Sequence, residues 1–291
     1  MNKKYKKFLF EGSVYGDSFD FCSGHGLRSV GGGRRYGKRT GNSLEFMEHR
    51  DYQEGDDLRT LDWSVYGRTD RLVVKMFQEE ISPKLDLVID CSRSMDVEGF
   101  SKVEAQLKLA GLLSKSASNS GFLVRSWLCR NDFKMIVNGH LTPEQWDGIE
   151  FTGDIAPSLA LKSQEESFQF NSLRIFISDL LWEEHPRKTL ASLSKNSRGV
   201  FVIQLLDSKE LRPKLEGNNR LVDIESGYEE DLFIDSGSIR HYLEALNSHI
   251  YCWEQSCRES NSNFITLESD VVCGEWDVTK LIEVGLISRS V

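Results

Sequence analysis

From Pro83 onward, short apolar runs alternate with segments of helical period, the pattern of βα units built on a largely parallel sheet. Strands are predicted at Leu85–Ile89, Phe122–Leu128, Phe133–Val137, Arg174–Leu180, Val200–Leu206 and Asn263–Leu267. Val103, Leu107, Ala110 and Ser114 step along one helical face, and Gly121 stands where that helix would stop. Cys129-Arg130-Asn131-Asp132 reads as a hairpin turn between two of the strands. Thr142 and Pro143 suit the N-cap and first position of a further helix. Helical segments are also expected near 187–197 and 239–258, and a last one from Asp277 to about Leu286. The fold class is therefore α/β, with a doubly wound, mostly parallel sheet. Upstream of Pro83 the pattern changes. Arg71–Glu80 partly alternates like a half-buried strand, while residues 11–45 are crowded with glycine and basic side chains and read as long loops. The expected organisation is a β-containing N-terminal extension over 1–82 followed by the α/β domain over 83–291.

Composition narrows the function classes. At 291 residues and 39% apolar content, the chain can bury one large core, or a core with a small second module. Lys and Arg total 36 against 45 Asp and Glu, a formal charge of −9, which disfavours a general binder of nucleic acid or anionic membrane. The basic start, Met1–Phe10, resembles a leader flank, but its apolar run ends at Glu11-Gly12, and no apolar stretch approaches the roughly 20 residues that span a bilayer. Six cysteines without paired spacing fit a reducing compartment, so a cytoplasmic protein without direct membrane insertion is expected. Gly32-Gly33-Arg34-Arg35-Tyr36-Gly37-Lys38-Arg39 imitates a phosphate-binding loop, but Arg39 replaces the hydroxyl residue and no apolar strand precedes it. Nucleic-acid binding through 26–39 is the weakest reading considered.

The strongest local feature is the run Leu85-Asp86-Leu87-Val88-Ile89-Asp90-Cys91-Ser92-Arg93-Ser94-Met95, a strand ending in Asp-x-Ser-x-Ser. At the carboxyl end of a parallel strand such side chains converge on the crevice where α/β sheets bind ligands. One carboxylate and two hydroxyls, Asp90, Ser92 and Ser94, are hard oxygens that suit Mg²⁺, or Mn²⁺ or Ca²⁺ in its place. A serine-rich N-cap turn is the bland alternative. The strand Arg174–Leu180 also ends in a carboxylate, Asp179, and the loop between offers the hydroxyl of Thr152. Asp90-x-Ser92 is not the Asp-x-Asp of aspartyl-phosphate enzymes, which argues against covalent phosphoryl chemistry.

This constellation resembles a von Willebrand factor A domain with a metal-ion-dependent adhesion site, from about residue 84 to the C-terminus. Upstream, Glu45-Phe46, Arg50-Asp51-Tyr52-Gln53-Glu54-Gly55-Asp56-Asp57-Leu58-Arg59 and Asp62-Trp63 resemble the signature of the bacterial domain-of-unknown-function 58 family, in which it precedes such a domain. Leu221–Gly227 is similar to that family's Leu-x-Asp-x-Glu-x-Gly hairpin. The resemblance implies a cation at Asp90, Ser92, Ser94, Thr152 and Asp179 that captures an acidic residue of a partner protein. It also implies a MoxR-type AAA+ ATPase as that partner and an adaptor or co-chaperone role.

The alternating charges Arg50, Asp56, Asp57, Arg59, Asp62 and Arg68 suit a hydrogen-bonded network that fixes loops, with Tyr52 and Trp63 as core anchors; recognition of a partner is the other reading. The expected function is thus a non-enzymatic, divalent-metal-dependent interaction protein. The alternative is a metal-dependent hydrolase using the same ion, for which no general base is identifiable beside the motifs.

Overall fold

Side chains along the strand at Lys84–Asp90 alternate between two apolar layers, Leu85, Leu87 and Ile89 entering one and Val88 the other, all fully buried. A strand buried on both faces is the middle of a doubly covered sheet. The computed structural model describes residues 2–22, 44–79, 82–163, 167–223 and 228–290. The glycine- and arginine-rich stretch at 24–41, the loop imitation at 32–39 and residues 224–227 of the hairpin motif lie outside them.

In chain order the elements are α1 (Lys3–Gly16), β1 (Phe19–Phe21), β2 (Leu44–Asp51), α2 (Trp63–Thr69), β3 (Val73–Glu79), β4 (Lys84–Asp90) and α3 (Lys102–Asn119). There follow β5 (Leu123–Cys129), β6 (Phe133–Met135), α4 (Pro157–Lys162), β7 (Ser172–Ser178), α5 (Pro186–Ser194), β8 (Ser197–Leu206) and α6 (Ser208–Leu211). The chain closes with β9 (Gly217–Val222), β10 (Glu229–Ile234), α7 (Ser236–Glu259), β11 (Asn263–Glu268), α8 (Ser269–Glu275), α9 (Thr279–Glu283) and β12 (Ile287–Arg289).

The main sheet has six strands in the order β11-β8-β7-β4-β5-β6, parallel throughout except for β6, which returns antiparallel against β5. Strand order turns back between β4 and β7, so the carboxyl ends of these two strands flank the switch point. One face is covered by α1, α3 and α8 through Phe8, Leu9, Leu107, Leu113 and Val272. The other is covered by α4, α5 and α7 through Leu161, Leu190, Leu193 and Trp253. This is the expected doubly wound, mostly parallel α/β fold, with an antiparallel strand at one edge.

The chain divides into two compact units: residues 44–79 form a small one, while 2–22 and 83–290 form the larger. α1 and β1, which the sequence reading assigns to the N-terminal extension, belong to the larger unit. Helix α1 buries Phe8, Leu9, Gly12, Ser13 and Gly16, and its approach to α3 is set by glycines. A Cβ on Gly12 would lie 2.1 Å from the Lys108 carbonyl oxygen, and one on Gly111 would lie 2.4 Å from that of Leu9. Strand β1 then pairs antiparallel with β12, and the helix expected from Asp277 to about Leu286 is the shorter α9, Thr279–Glu283. Thr142 and Pro143 open only a single 3₁₀ turn, Pro143–Gln145, which closes at an extended Trp146 whose indole is fully buried.

In the small unit β2 and β3 pair antiparallel, α2 lies between them in sequence, and Leu61 bridges to Val74. Trp63, expected in the core, is 62% exposed, because it is the first residue of α2 and its side chain rests edge-on against Tyr66, 6.2 Å between ring centres. Tyr52 is half-buried.

Candidate metal site at the carboxyl ends of two parallel strands

Asp90 ends β4 with its side chain 1% exposed. Its Oδ1 accepts the Ser92 amide at 2.9 Å, closing a tight turn, and its Oδ2 accepts the Ser178 hydroxyl at 2.6 Å. The Ser92 and Ser94 hydroxyls lie 3.0 Å apart, the first buried and the second half-buried, so the cluster opens toward solvent at Ser94. Gln106, one turn into α3, donates to the Asp90 carbonyl and the Ile177 carbonyl, both at 2.9 Å, and so staples the ends of β4 and β7. The structure thus brings Asp90, Ser92 and Ser94 together as the sequence pattern requires.

Thr152 sits on the adjoining loop. Gly153 pairs with the turn in a parallel bridge, its amide donating to the Cys91 carbonyl and its carbonyl accepting the Arg93 amide, each at 2.9 Å. This backbone pairing brings the loop alongside Ser92 and leaves the Thr152 side chain exposed. A side chain on Gly153 would lie 3.1 Å from the Cys91 carbonyl oxygen, so the pairing favours glycine at the position after the threonine.

Asp179 follows β7 and is fully buried. Its Oδ2 accepts from the Lys102 ammonium at 2.8 Å, and the same ammonium donates to Glu210 Oε1 at 2.8 Å. Burial penalises the Lys102 charge, but Asp179 and Glu210 outweigh it and hold its pKa above the usual lysine value. Asp90 has no such partner. Burial, followed by the nearby Asp179 carboxylate, pushes Asp90 well above the usual carboxylate range against the opposing hydrogen bonds from Ser178 and Ser92. Among the described residues no basic side chain forms an ion pair with Asp90. Burial also holds the Cys91 thiol well above its usual value, which keeps it from acting as a thiolate.

Lys102, Ser178, Gln106 and Glu210 are site residues that the sequence pattern does not reveal. Ser178 directly precedes Asp179 and was the one available signal, since a hydroxyl at a strand end beside a carboxylate can serve a neighbouring strand. Among the described residues no group of three or more His, Cys, Asp and Glu side chains is placed to hold a metal. Any cation here rests on hydroxyl oxygens and on Asp90, and that donor set fits a hard divalent ion: one buried, unpaired carboxylate beside two hydroxyls.

The signature charges of the small unit form a local network. Arg50 binds Asp56 through both carboxylate oxygens at 2.8 and 2.9 Å, and Arg59 folds back onto Asp57 at 2.7 Å. Asp62 caps α2 by accepting the Ser64 and Val65 amides, and it also meets His49 at 3.0 Å and Lys75 at 3.4 Å. Each of the five candidate partner-binding residues thus has a defined structural contact, with Arg59 on the surface.

Residues 48–138 match the model of the family described as "Protein of unknown function DUF58". The match is to the family that the Glu45–Trp63 signature resembles. The matched segment spans α2, β3, β4, α3, β5 and β6, and so contains Asp90, Ser92, Ser94 and Lys102; Thr152 and Asp179 lie beyond it. The chain is 24% identical over 255 residues to the uncharacterized protein Rv1480 of Mycobacterium tuberculosis, covering 82% of this chain and 78% of that one. Among solved structures it is similar to the conserved hypothetical protein BatB from Bacteroides thetaiotaomicron, at a TM-score of 0.36 and 11% identity, covering 69% of this chain and 99% of that one. It is also similar to the ArnB paralog VWA2 from Sulfolobus acidocaldarius, at a TM-score of 0.38 and 16% identity, covering 69% and 46%. No helix among the described residues is long and apolar enough to cross a membrane.

Proposed function

We propose that this chain is a non-enzymatic, cytoplasmic interaction module that presents a divalent cation, Mg²⁺ or a similar hard ion, to an acidic side chain of a partner protein. The observation that carries the reading is Asp90: a buried carboxylate without a counter-cation, beside the Ser92 and Ser94 hydroxyls, at the switch point of a von Willebrand A-like sheet. A cation there would be held by Asp90, Ser92 and Ser94, with Thr152 and Asp179 on the two adjoining loops, and when bound it supplies an electrophilic position for a carboxylate oxygen. The protein's own part is to fix those donors. Ser178 and the Ser92 amide orient Asp90, and Gln106 holds the two strand ends together. The resemblance to the DUF58 family makes a MoxR-type AAA+ ATPase the proposed partner and adaptor or co-chaperone work the proposed role. The hydrolase reading gains nothing from the geometry: among the described residues the hydrogen-bonded shell of Asp90 holds serines and a glutamine and no histidine.

The test is binding of a purified MoxR-type ATPase to the full chain and to Asp90→Ala, with Mg²⁺ and with a chelator. Association that needs both Mg²⁺ and Asp90 is the expected result. Association indifferent to metal and to the substitution overturns the cation mechanism.

A further inference from the structure

Lys102 is the first residue of α3 and is 1% exposed, a location that strongly disfavours a lysine unless its charge is matched. It is matched twice, by Asp179 and Glu210, each at 2.8 Å. The other oxygen of Asp179 accepts the Leu181 amide at 3.3 Å, so both of its oxygens are engaged by groups of the protein itself. Asp90, one strand away, is left with serine partners alone.

We infer that Lys102 is the resident countercharge of Asp179 and thereby sets the ligand preference of the site: a divalent cation is held by Asp90, Ser92 and Ser94, and Asp179 stays out of its coordination shell. The inference rests on the cation site proposed above. Charge counting shows its consequence. A divalent ion on one carboxylate keeps a net positive charge, which favours an anionic ligand from a partner. With Asp179 also coordinated the site would be neutral and that preference would weaken. Lys102 is accordingly a specificity-determining residue that need never touch the partner. Glu210 completes the arrangement by anchoring the ammonium from the segment after β8, where its other oxygen accepts the Asp207 amide at 2.8 Å.

Mn²⁺ alone is the probe, with binding followed by calorimetry and by the electron paramagnetic resonance of the free ion, on the full chain and on Asp90→Asn, Asp179→Asn and Lys102→Met. Asp90→Asn is expected to weaken Mn²⁺ by at least about tenfold and Asp179→Asn by less than about threefold. Lys102→Met frees Asp179 and is expected to tighten Mn²⁺ by about tenfold. Asp179→Asn weakening the ion as much as Asp90→Asn, or Lys102→Met binding it no more tightly than the wild type, overturns the role given to Lys102 while leaving the cation site standing. Absence of saturable Mn²⁺ binding by the wild type overturns the site and the inference together. Asn replaces Asp179 without change of shape and keeps the Lys102–Glu210 pair, so the contrast between the two asparagine variants decides the matter even if Lys102→Met does not fold.

Discussion

The Tyr5 hydroxyl on α1 donates to Asp96 Oδ2 at 2.7 Å, while its ring meets Phe151 edge-on with 5.5 Å between centres. Asp96 lies two residues after Ser94, and Phe151 directly precedes Thr152. One side chain of the N-terminal helix therefore touches both loops that carry candidate ligands. Burial, and then the hydrogen bond to Asp96, raises the phenol above its ordinary value, so it remains a donor across the working pH range.

Tyr5→Phe keeps the ring contact and removes the hydrogen bond. The expected cost to folding is small, about 1 kcal/mol or less for one partly exposed bond. Exchange of the backbone amides around Asp96 is expected to quicken, while those around Phe151 stay protected. Hydrogen exchange read by mass spectrometry checks this, and equal loosening of both loops would show that the ring alone does not hold the second.

The contact between α1 and α3 makes a sharper prediction. Gly12 and Gly111 face the partner helix's carbonyl oxygens at distances no Cβ tolerates, and neither backbone is free to yield. Gly111→Ala is expected to destabilise the protein by about 1–3 kcal/mol through overpacking. Because the overlap is with backbone, Gly12→Ala is expected to be at least as costly. Urea unfolding monitored by circular dichroism measures both, and a neutral Gly111→Ala would mean that the helices cross further apart.

These examples show what the sequence made legible. The strands of the main sheet alternate or run apolar strongly enough to be read, and Asp90, Ser92 and Ser94 stand within five residues of one another, so a local pattern suffices to group them. Lys102 and Ser178 join the site only through strand order and the phase of α3, which no local pattern records. Helix α1 escaped because its buried stripe, Phe8, Leu9, Gly12, Ser13 and Gly16, is carried largely by small residues rather than apolar ones. Trp63 departs from expectation for the opposite reason: an aromatic side chain signals a core by composition, but at the first position of α2 it faces solvent.

In the small unit, Asp62 is predicted to titrate abnormally. Its hydrogen bond with His49 is the chief cause, aided by the Val65 and Ser64 amides and by Lys75, and it holds the carboxyl at about 2. A depressed folded-state pKa gives stability that is present above the unfolded value of about 4 and is lost as pH falls toward 2. The amide resonances of Ser64 and Val65 should therefore shift with a midpoint near 2. Asp62→Asn should abolish that titration and flatten the acid dependence of this unit's stability. A midpoint near 4 in the wild type would mean that the cap and ion pairs contribute little in solution.

Asp86 offers the clearest separation of folding from binding. It lies in the middle of β4, fully buried, where Oδ1 accepts the Trp127 indole N–H at 2.8 Å and Oδ2 accepts the Gln169 amide at 2.9 Å. The Gln169 side chain in turn donates to the Leu85 and Leu123 carbonyls, both at 3.2 Å, so the carboxylate anchors the segment before β7 to the β4–β5 pair. Asp86→Ala leaves two buried donors without acceptors, at about 1–3 kcal/mol each. Asp86→Asn retains one acceptor and should recover part of that loss. Four residues separate Asp86 from Asp90, about 13 Å along an extended strand, so Mn²⁺ affinity should be unchanged in whatever fraction remains folded. Urea midpoints falling at constant slope, together with an unaltered Mn²⁺ isotherm, are the expected pair of results. A loss of Mn²⁺ affinity in Asp86→Asn at full folding would instead show that the buried network along β4 sets the geometry of the strand end, and that Asp90 is positioned from below as well as by Ser178 and the Ser92 amide.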